Sequence, residues 1–429
     1  MKKNKLINGT KLLIVTALLF FNSCSNEEYD GELNSNQNQI TYGIEITEDI
    51  AKEVAINFFN RTYKSRDYLL RTENQNETTV ASTETIKDFN DQTGIYIVNI
   101  EPEGFILVTS NSKNVPIAAH SETGTFELNE DSPDGLKSWI AENIIFNDLM
   151  EAREPVEEVD KQWYYLSEGR MPYPGDLDGN GGSSDYTVRY SHTVNEQIGP
   201  LMQTTWGQWS PYNNFTPNGA PTGCVATAMA QIMRYHQSPN TFNWSIMPNN
   251  PAWGSSSTGS LEVATLMSDI GGNVNMEYTP SSSGADSEDA RNALVNNYGY
   301  SSSASYSPYN FSTVKQEIKM YNRPVYMDGY HSYETHGTWF WEYTTYHDGH
   351  AWVCDGYKQQ YDVYIHNEGT QYEYTTQENR YEWLYMNWGW RGSGNGWFFK
   401  NHISINGVTL NGVNANFQYN RECIYRIKP

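Results

Sequence analysis

Residues 222–236 read Thr-Gly-Cys-Val-Ala-Thr-Ala-Met-Ala-Gln-Ile-Met-Arg-Tyr-His. Cys224 follows a glycine and opens a run with helical character. The N-terminus of a helix presents unpaired N–H groups and a partial positive charge, and both stabilise a thiolate. The same cysteine also fits a plainer role, as a small buried residue at the head of a core helix. A thiolate nucleophile needs a base, a group that orients the base, and donors for an oxyanion. His350, in Gly349-His350-Ala351-Trp352-Val353, is the candidate base. Gly349 removes bulk beside the imidazole, and the residues after it read as the start of a buried strand. Asn387, in Met386-Asn387-Trp388-Gly389-Trp390, is the candidate orienter, with Trp388 shielding the His–Asn bond from water. Gln208, in Trp206-Gly207-Gln208-Trp209, is the candidate oxyanion donor beside the backbone N–H of Cys224.

Taken singly, each residue has a structural reading: a core histidine, a turn asparagine, a surface glutamine. Their order carries the weight. Cysteine proteases of the papain fold run Gln, Cys, His, Asn along the chain. The His and Asn intervals from Cys224 fall on either side of the roughly 130–150 residues typical of papain itself, so papain is not the nearest pattern. His347, His350 and Cys354 also suggest a metal cluster, but no fourth ligand has suitable spacing. Asp176-Leu177-Asp178-Gly179-Asn180-Gly181 matches the first half of a calcium loop, yet its twelfth position is Thr187 instead of a bidentate Glu. The expectation is therefore chemistry with no metal and no organic cofactor. A net charge of −23 argues against nucleic acid as a partner.

Positioning such a site takes a large core, and aromatic residues make up 14% of the chain. The segment 40–165 begins with a helix signal: Thr47 as cap, Glu48 and Asp49 in the first turn, then an apolar face of Ile50, Val54, Ala55, Phe58 and Phe59. Residues 95–100 and 105–108 form two strands around Glu101-Pro102-Glu103-Gly104, a hairpin signal. Residues 136–150 read as a second amphipathic helix. The stretch 166–190 is rich in Gly, Pro and Ser and reads as an exposed linker. The candidate chemistry lies in 191–429. Cys354 and Cys423 form no disulfide framework and read as two buried thiols, though pairing between them stays open.

The N-terminus reads as a leader. Residues 1–23 have a basic start and a short apolar stretch, too short for a membrane span. Ser23-Cys24 resembles a bacterial lipobox, in which Cys24 is lipidated. The acidic Glu27-Glu28 resembles a surface-export signal, and 24–39 a polar tether. The expected location is the outer membrane or cell surface, with the membrane touched only through the lipid at Cys24.

Residues 223–233 with Tyr235-His236, Gly349–Val353 with Asp355-Gly356, Asn387-Trp388-Gly389-Trp390 with Gly396-Trp397-Phe398, and Gln208 with Pro211-Tyr212-Asn213 together resemble the streptopain-type (C10) cysteine peptidases. The resemblance covers essentially all of 191–429. Residues 104–117 are similar to that family's inhibitory prodomain. The resemblance implies an α+β fold: a papain-like domain, helical part against an antiparallel sheet, preceded by a smaller α+β prodomain at 40–165. It implies an exported endopeptidase made as a self-inhibited zymogen, with Cys224 as nucleophile, His350 as base, Asn387 as its orienter and Gln208 in the oxyanion hole. The linker becomes the maturation region, and the partners are protein or peptide substrates and the chain's own prodomain. One departure is a stretch of extra residues at 327–348, rich in aromatics and expected as a loop beside the base. The alternative is an inactive surface-binding relative, an adhesin or inhibitor.

Overall fold

The computed structural model describes residues 46–63, 78–87, 92–129, 157–167, 188–336, 343–367, 371–400 and 419–429, with a few short pieces between them. Apart from Asn4–Lys5, which pair with Thr345 and Thr344, the leader lies outside the described residues, as do Cys24, the tether, the partial calcium loop and 168–187 of the expected linker.

Helix α1 (Glu48–Tyr63) starts where the sequence places it. The Thr47 hydroxyl accepts the N–H of Ile50 at 3.4 Å, and its carbonyl accepts Ala51 N–H. Its buried face is Ala51, Val54, Ala55, Phe58 and Phe59, and Ile50 stays half-buried. Strands β1 (Val80–Lys87), β2 (Thr93–Ile100), β3 (Phe105–Thr109) and β4 (Ile117–Ser121) form an antiparallel meander. The β2–β3 turn closes with Ile100 N–H donating to Gly104 O. Helix α2 (Glu157–Ser167) runs into the region expected as linker. Of the expected 136–150 helix, the described positions 136–137, 139–140 and 143–144 are helical.

A strand the sequence reading missed, β5 (Val188–Ile198), follows. Then come helices α3 (Cys224–His236), α4 (Thr258–Asn273) and α5 (Ser287–Asn296). Strand β6 (Ser305–Pro308) and helix α6 (Phe311–Tyr321) lead into the long strands β7 (Val325–His336), β8 (Tyr343–His366) and β9 (Tyr374–Asn387). Strands β10 (Gly396–Phe399) and β11 (Tyr419–Tyr425) complete the sheet. The extra stretch 327–348 is thus largely not a loop. It lengthens β7 and β8, which pair as far as His336↔Tyr343. Its side chains from 331 to 348 lie outside the described residues.

All pairings are antiparallel, in the order β1-β2-β3-β4-β10-β9-β8-β7-β11-β6, with β5 on the free half of β8. The fold is mixed α and β, and the two segments share one sheet. Strand β4 pairs with β10 through His120↔Trp397 and Ala119↔Phe398. Apolar packing repeats the point. One cluster is confined to the later segment and buries the inner face of α3 with Val263, Leu266, Ile270 and Leu294. A second joins Phe105, Leu136, Trp139 and Ile140 to Trp352, Met386, Trp388 and Phe398. A third joins Phe58, Ile106 and Trp163 to Trp383 and Trp397. The first segment completes its core on the second.

Candidate active site

Helix α3 starts at Cys224 because the residue before it makes a turn that a side chain would block. Gly223 has φ 85°, in the left-handed region, and a Cβ there would lie 2.7 Å from Met276 Sδ. Thr227 then fixes the first turn, its N–H and hydroxyl both donating to Gly223 O. Its hydroxyl also meets that of Thr222 at 3.0 Å, and Thr222 N–H donates to Gln208 O at 2.9 Å. Local bonds therefore bring the Gln208 segment to the head of helix α3. Gln208 is half-buried, and its side-chain amide makes no hydrogen bond among the described residues.

Cys224 is half-buried, a free thiol at the edge of the α3 core. Helix α3 packs on β8, and Cys224 lies against the cluster that holds Ala351, the residue after His350. The head of the Cys224 helix and the strand of His350 are thus packed together. The electrostatics are less simple than the helix terminus suggested. Burial pushes the Cys224 thiol up to about 11, against the pull of backbone N–H groups at Ala351, Val225 and Cys224 itself. In this state the helix terminus alone does not ionise the sulfur.

His350 lies on β8 opposite Gly329 of β7, buried, with the Trp352 ring parallel to its own at 6.2 Å. Its Nε2 meets the carbonyl of Trp388 at 3.0 Å. This differs from the expected orienter. Asn387 spends its amide elsewhere: Nδ2 donates to Thr204 O at 2.8 Å and to Gln231 Oε1 at 3.2 Å, while Oδ1 accepts Gln231 Nε2 and Gly389 N–H, each at 3.2 Å. The Asn387 loop does reach the imidazole, but through a backbone oxygen one residue on. Trp388 is buried, with its ring 6.5 Å from that of His350, but among the described residues there is no His350–Asn387 bond for it to shield.

Gln231, Thr204 and the Trp388 carbonyl were not singled out in the sequence. Gln231 did leave a signal: an amide inside a largely apolar helix, seven residues after Cys224. A backbone acceptor leaves none. Cys354 and Cys423 are buried free thiols. Among the described residues no group of three His, Cys, Asp or Glu converges on a point that would hold a metal.

The first segment packs on the back of the Trp388 loop. A Cβ on Gly394 would lie 2.7 Å from Leu136 Cδ2, and Trp139 meets Phe398 edge to face at 4.7 Å. The loop that holds His350 is therefore pressed between the imidazole and the first segment.

The Peptidase C10 family model matches residues 206–242 and 237–398, and the Spi protease inhibitor model matches residues 44–143. Streptopain of Streptococcus pyogenes serotype M28 (strain MGAS6180) is 24% identical over 383 residues, covering 78% of this chain and 81% of its own. The thiol protease/hemagglutinin PrtT of Porphyromonas gingivalis is 24% identical over 375 residues, 77% of this chain. This chain spans only 36% of PrtT's length. Among solved structures, a prointerpain A fragment from Prevotella intermedia aligns with a TM-score of 0.52 at 19% identity, covering 82% of this chain and 100% of that one.

Proposed function

The chain belongs to the Peptidase C10 family and carries an inhibitor segment of the Spi type ahead of the peptidase segment; from that premise we propose that it is a cysteine endopeptidase made as a self-inhibited zymogen. The single observation that carries the reading is the packing of helix α3, headed by Cys224, on strand β8, where Ala351 follows His350. In the reaction, His350 takes the Cys224 proton and the thiolate attacks a peptide carbonyl. The Cys224 N–H and the uncommitted amide of Gln208 receive the oxyanion, a contribution of ~10²–10³ in rate for each such donor. His350 then protonates the leaving amine, and water hydrolyses the thioester. The Trp388 carbonyl keeps the imidazole facing the sulfur.

Latency follows from the same geometry. In the intact chain burial keeps the thiol neutral, and the first segment loads the loop that holds the base. A cut within 166–190 separates the segments, and loss of the first then frees the loop that holds His350. Lipidation at Cys24 places the zymogen on the cell surface, and the cut releases the peptidase from its tether. Protein or peptide substrates are the partners.

The test is incubation of purified full-length chain with and without iodoacetamide, beside the Cys224→Ala variant, following chain size and casein cleavage. The untreated chain shortens to the peptidase segment and cleaves casein, while the treated chain and the variant do neither. Proteolysis that survives alkylation would assign the chemistry to another nucleophile.

A further inference from the structure

Gln231 is a polar side chain with no surface exposure, and Thr227 is the other polar residue buried in its helix. Its amide joins three chain segments. Its Oε1 accepts the N–H of Trp206 at 3.1 Å and Nδ2 of Asn387 at 3.2 Å. Its Nε2 donates to Asn387 Oδ1 at 3.2 Å. The two carboxamides thus exchange hydrogen bonds face to face, and flipping either one alone would set N–H against N–H. Asn387, 3% exposed, uses its remaining valences on Thr204 O and Gly389 N–H. The peptide group of Trp206 is held from the other side too, its carbonyl accepting Arg391 N–H at 3.3 Å.

Each of these segments carries one part of the proposed chemistry. Helix α3 carries Cys224. Residues 204–206 lead into Gln208. Residues 387–389 include Trp388, whose carbonyl receives His350. Such a buried amide left half-satisfied is costly, and one fully bonded locks its neighbours into a single arrangement. Misplacement by about 1 Å of groups near a reaction centre can cost ~10²-fold in rate.

We propose that Gln231 is a positioning residue: through the reciprocal amide pair with Asn387 and the bond to Trp206 it fixes the imidazole-bearing loop and the oxyanion segment in register with Cys224. The role of Asn387 is then to dock its loop on the nucleophile helix. This rests on the cysteine peptidase reading above.

The test compares Gln231→Met, which keeps length and loses every hydrogen bond, and Gln231→Glu, which keeps the acceptor and loses the donor. Full-length variants are processed by a trace of tagged parent enzyme, which is then removed, and active sites are titrated with iodoacetamide. Per titrated site, Gln231→Met lowers kcat by ~10–100-fold with KM within about twofold, and Gln231→Glu falls between it and the parent. The pH profile of iodoacetamide alkylation moves in Gln231→Met toward that of an isolated thiol, because the sulfur–imidazole pair is loosened. A kcat within twofold of the parent, or a lower kcat with an unshifted alkylation profile, would overturn the proposal. A parent that shows no alkylation-sensitive hydrolysis would overturn the peptidase reading itself.

Discussion

His120 of β4 and Trp397 of β10 are register partners in the ladder that joins the inhibitory segment to the catalytic sheet. The imidazole is enclosed by the rings of Phe58 and Trp383, each 5.0 Å away, and its Nδ1 meets the Tyr63 hydroxyl. Among the described residues its buried Nε2 has no hydrogen-bond partner. Lys358 of β8 enters the same site from the catalytic side, its ammonium 4.7 Å over the Tyr63 ring and 5.8 Å over that of Trp397. The seam is thus built from an uncharged histidine and a cation in an aromatic box.

Acid should loosen this seam. Burial first, and the Lys358 charge second, hold His120 well below the usual histidine value. Burial also pushes Lys358 down to about 8, with Glu122 opposing, and burial first, then the Glu122 and Tyr385 charges, raise the Tyr63 hydroxyl. Once the seam opens, His120 regains its ordinary value near 6.5. The open state therefore binds more protons below that pH. The His120 contribution to seam stability is full above about pH 6.5 and declines as pH falls toward the folded value, whereas that of Lys358 is lost over a higher window, as pH falls from 10.5 to about 8. Hydrogen exchange at Ile117–Ser121 in the full-length Cys224→Ala chain, corrected for intrinsic rates, should accelerate between pH 7 and 5. His120→Phe should flatten that dependence, and equal pH slopes in the two chains would refute it.

Trp139 anchors the seam at its other end. It is buried against Phe398 and lies in the cluster that includes Trp388. Trp139→Ala removes a core aromatic, at a cost of about 3–5 kcal/mol. Urea unfolding of the full-length Cys224→Ala chain should show the inhibitory segment melting earlier by this amount, and the active chain should process itself faster. An unchanged midpoint would assign the anchor elsewhere.

Arg61 of α1 reaches across the seam to Asp362 of β8, with Nη2 2.6 Å from each carboxylate oxygen. Asp362 is fully buried, and Thr193 of β5 donates to it at 2.6 Å. Removing one partner of a buried pair costs about 3–5 kcal/mol, more than the ~1.5–3 kcal/mol of one hydroxyl bond to a charged group. Arg61→Ala should destabilise the full chain beyond Thr193→Ala, with little dependence on salt. Parity in thermal midpoints would rule this out.

Gly349 faces Tyr330 across β7 and β8, and a Cβ there would lie 2.9 Å from the Tyr330 ring. Gly349→Ala must move a buried ring beside His350. The processed variant should lose roughly tenfold in kcat, read by peptide hydrolysis per titrated site. Full activity would mean the ring yields without disturbing the base.

Helix α3, with Gly223 as the turn before Cys224, was legible because a glycine and an apolar run are local signals. So were α1 with its Thr47 cap and the β2–β3 hairpin around Gly104. The quartet Gln208, Cys224, His350 and Asn387 was legible as types in order. The partner of the imidazole was not: a carbonyl has no residue type, so Trp388 O could not be read in place of the Asn387 amide. Gln231 showed only as an amide in a largely apolar helix, and its partners lie 25 and 156 residues away. Strand β5 sat at the end of a stretch whose glycines and prolines read as linker, and its pairing with β8 is long-range. The two segments also read as separate units, because a shared core leaves no mark within either one. The sequence by itself determined the helix that presents Cys224 and the chemistry its partners can perform. Tertiary structure decided which atoms meet, since register across strands and the balance of burial against backbone donors at Cys224 arise only when distant segments pack.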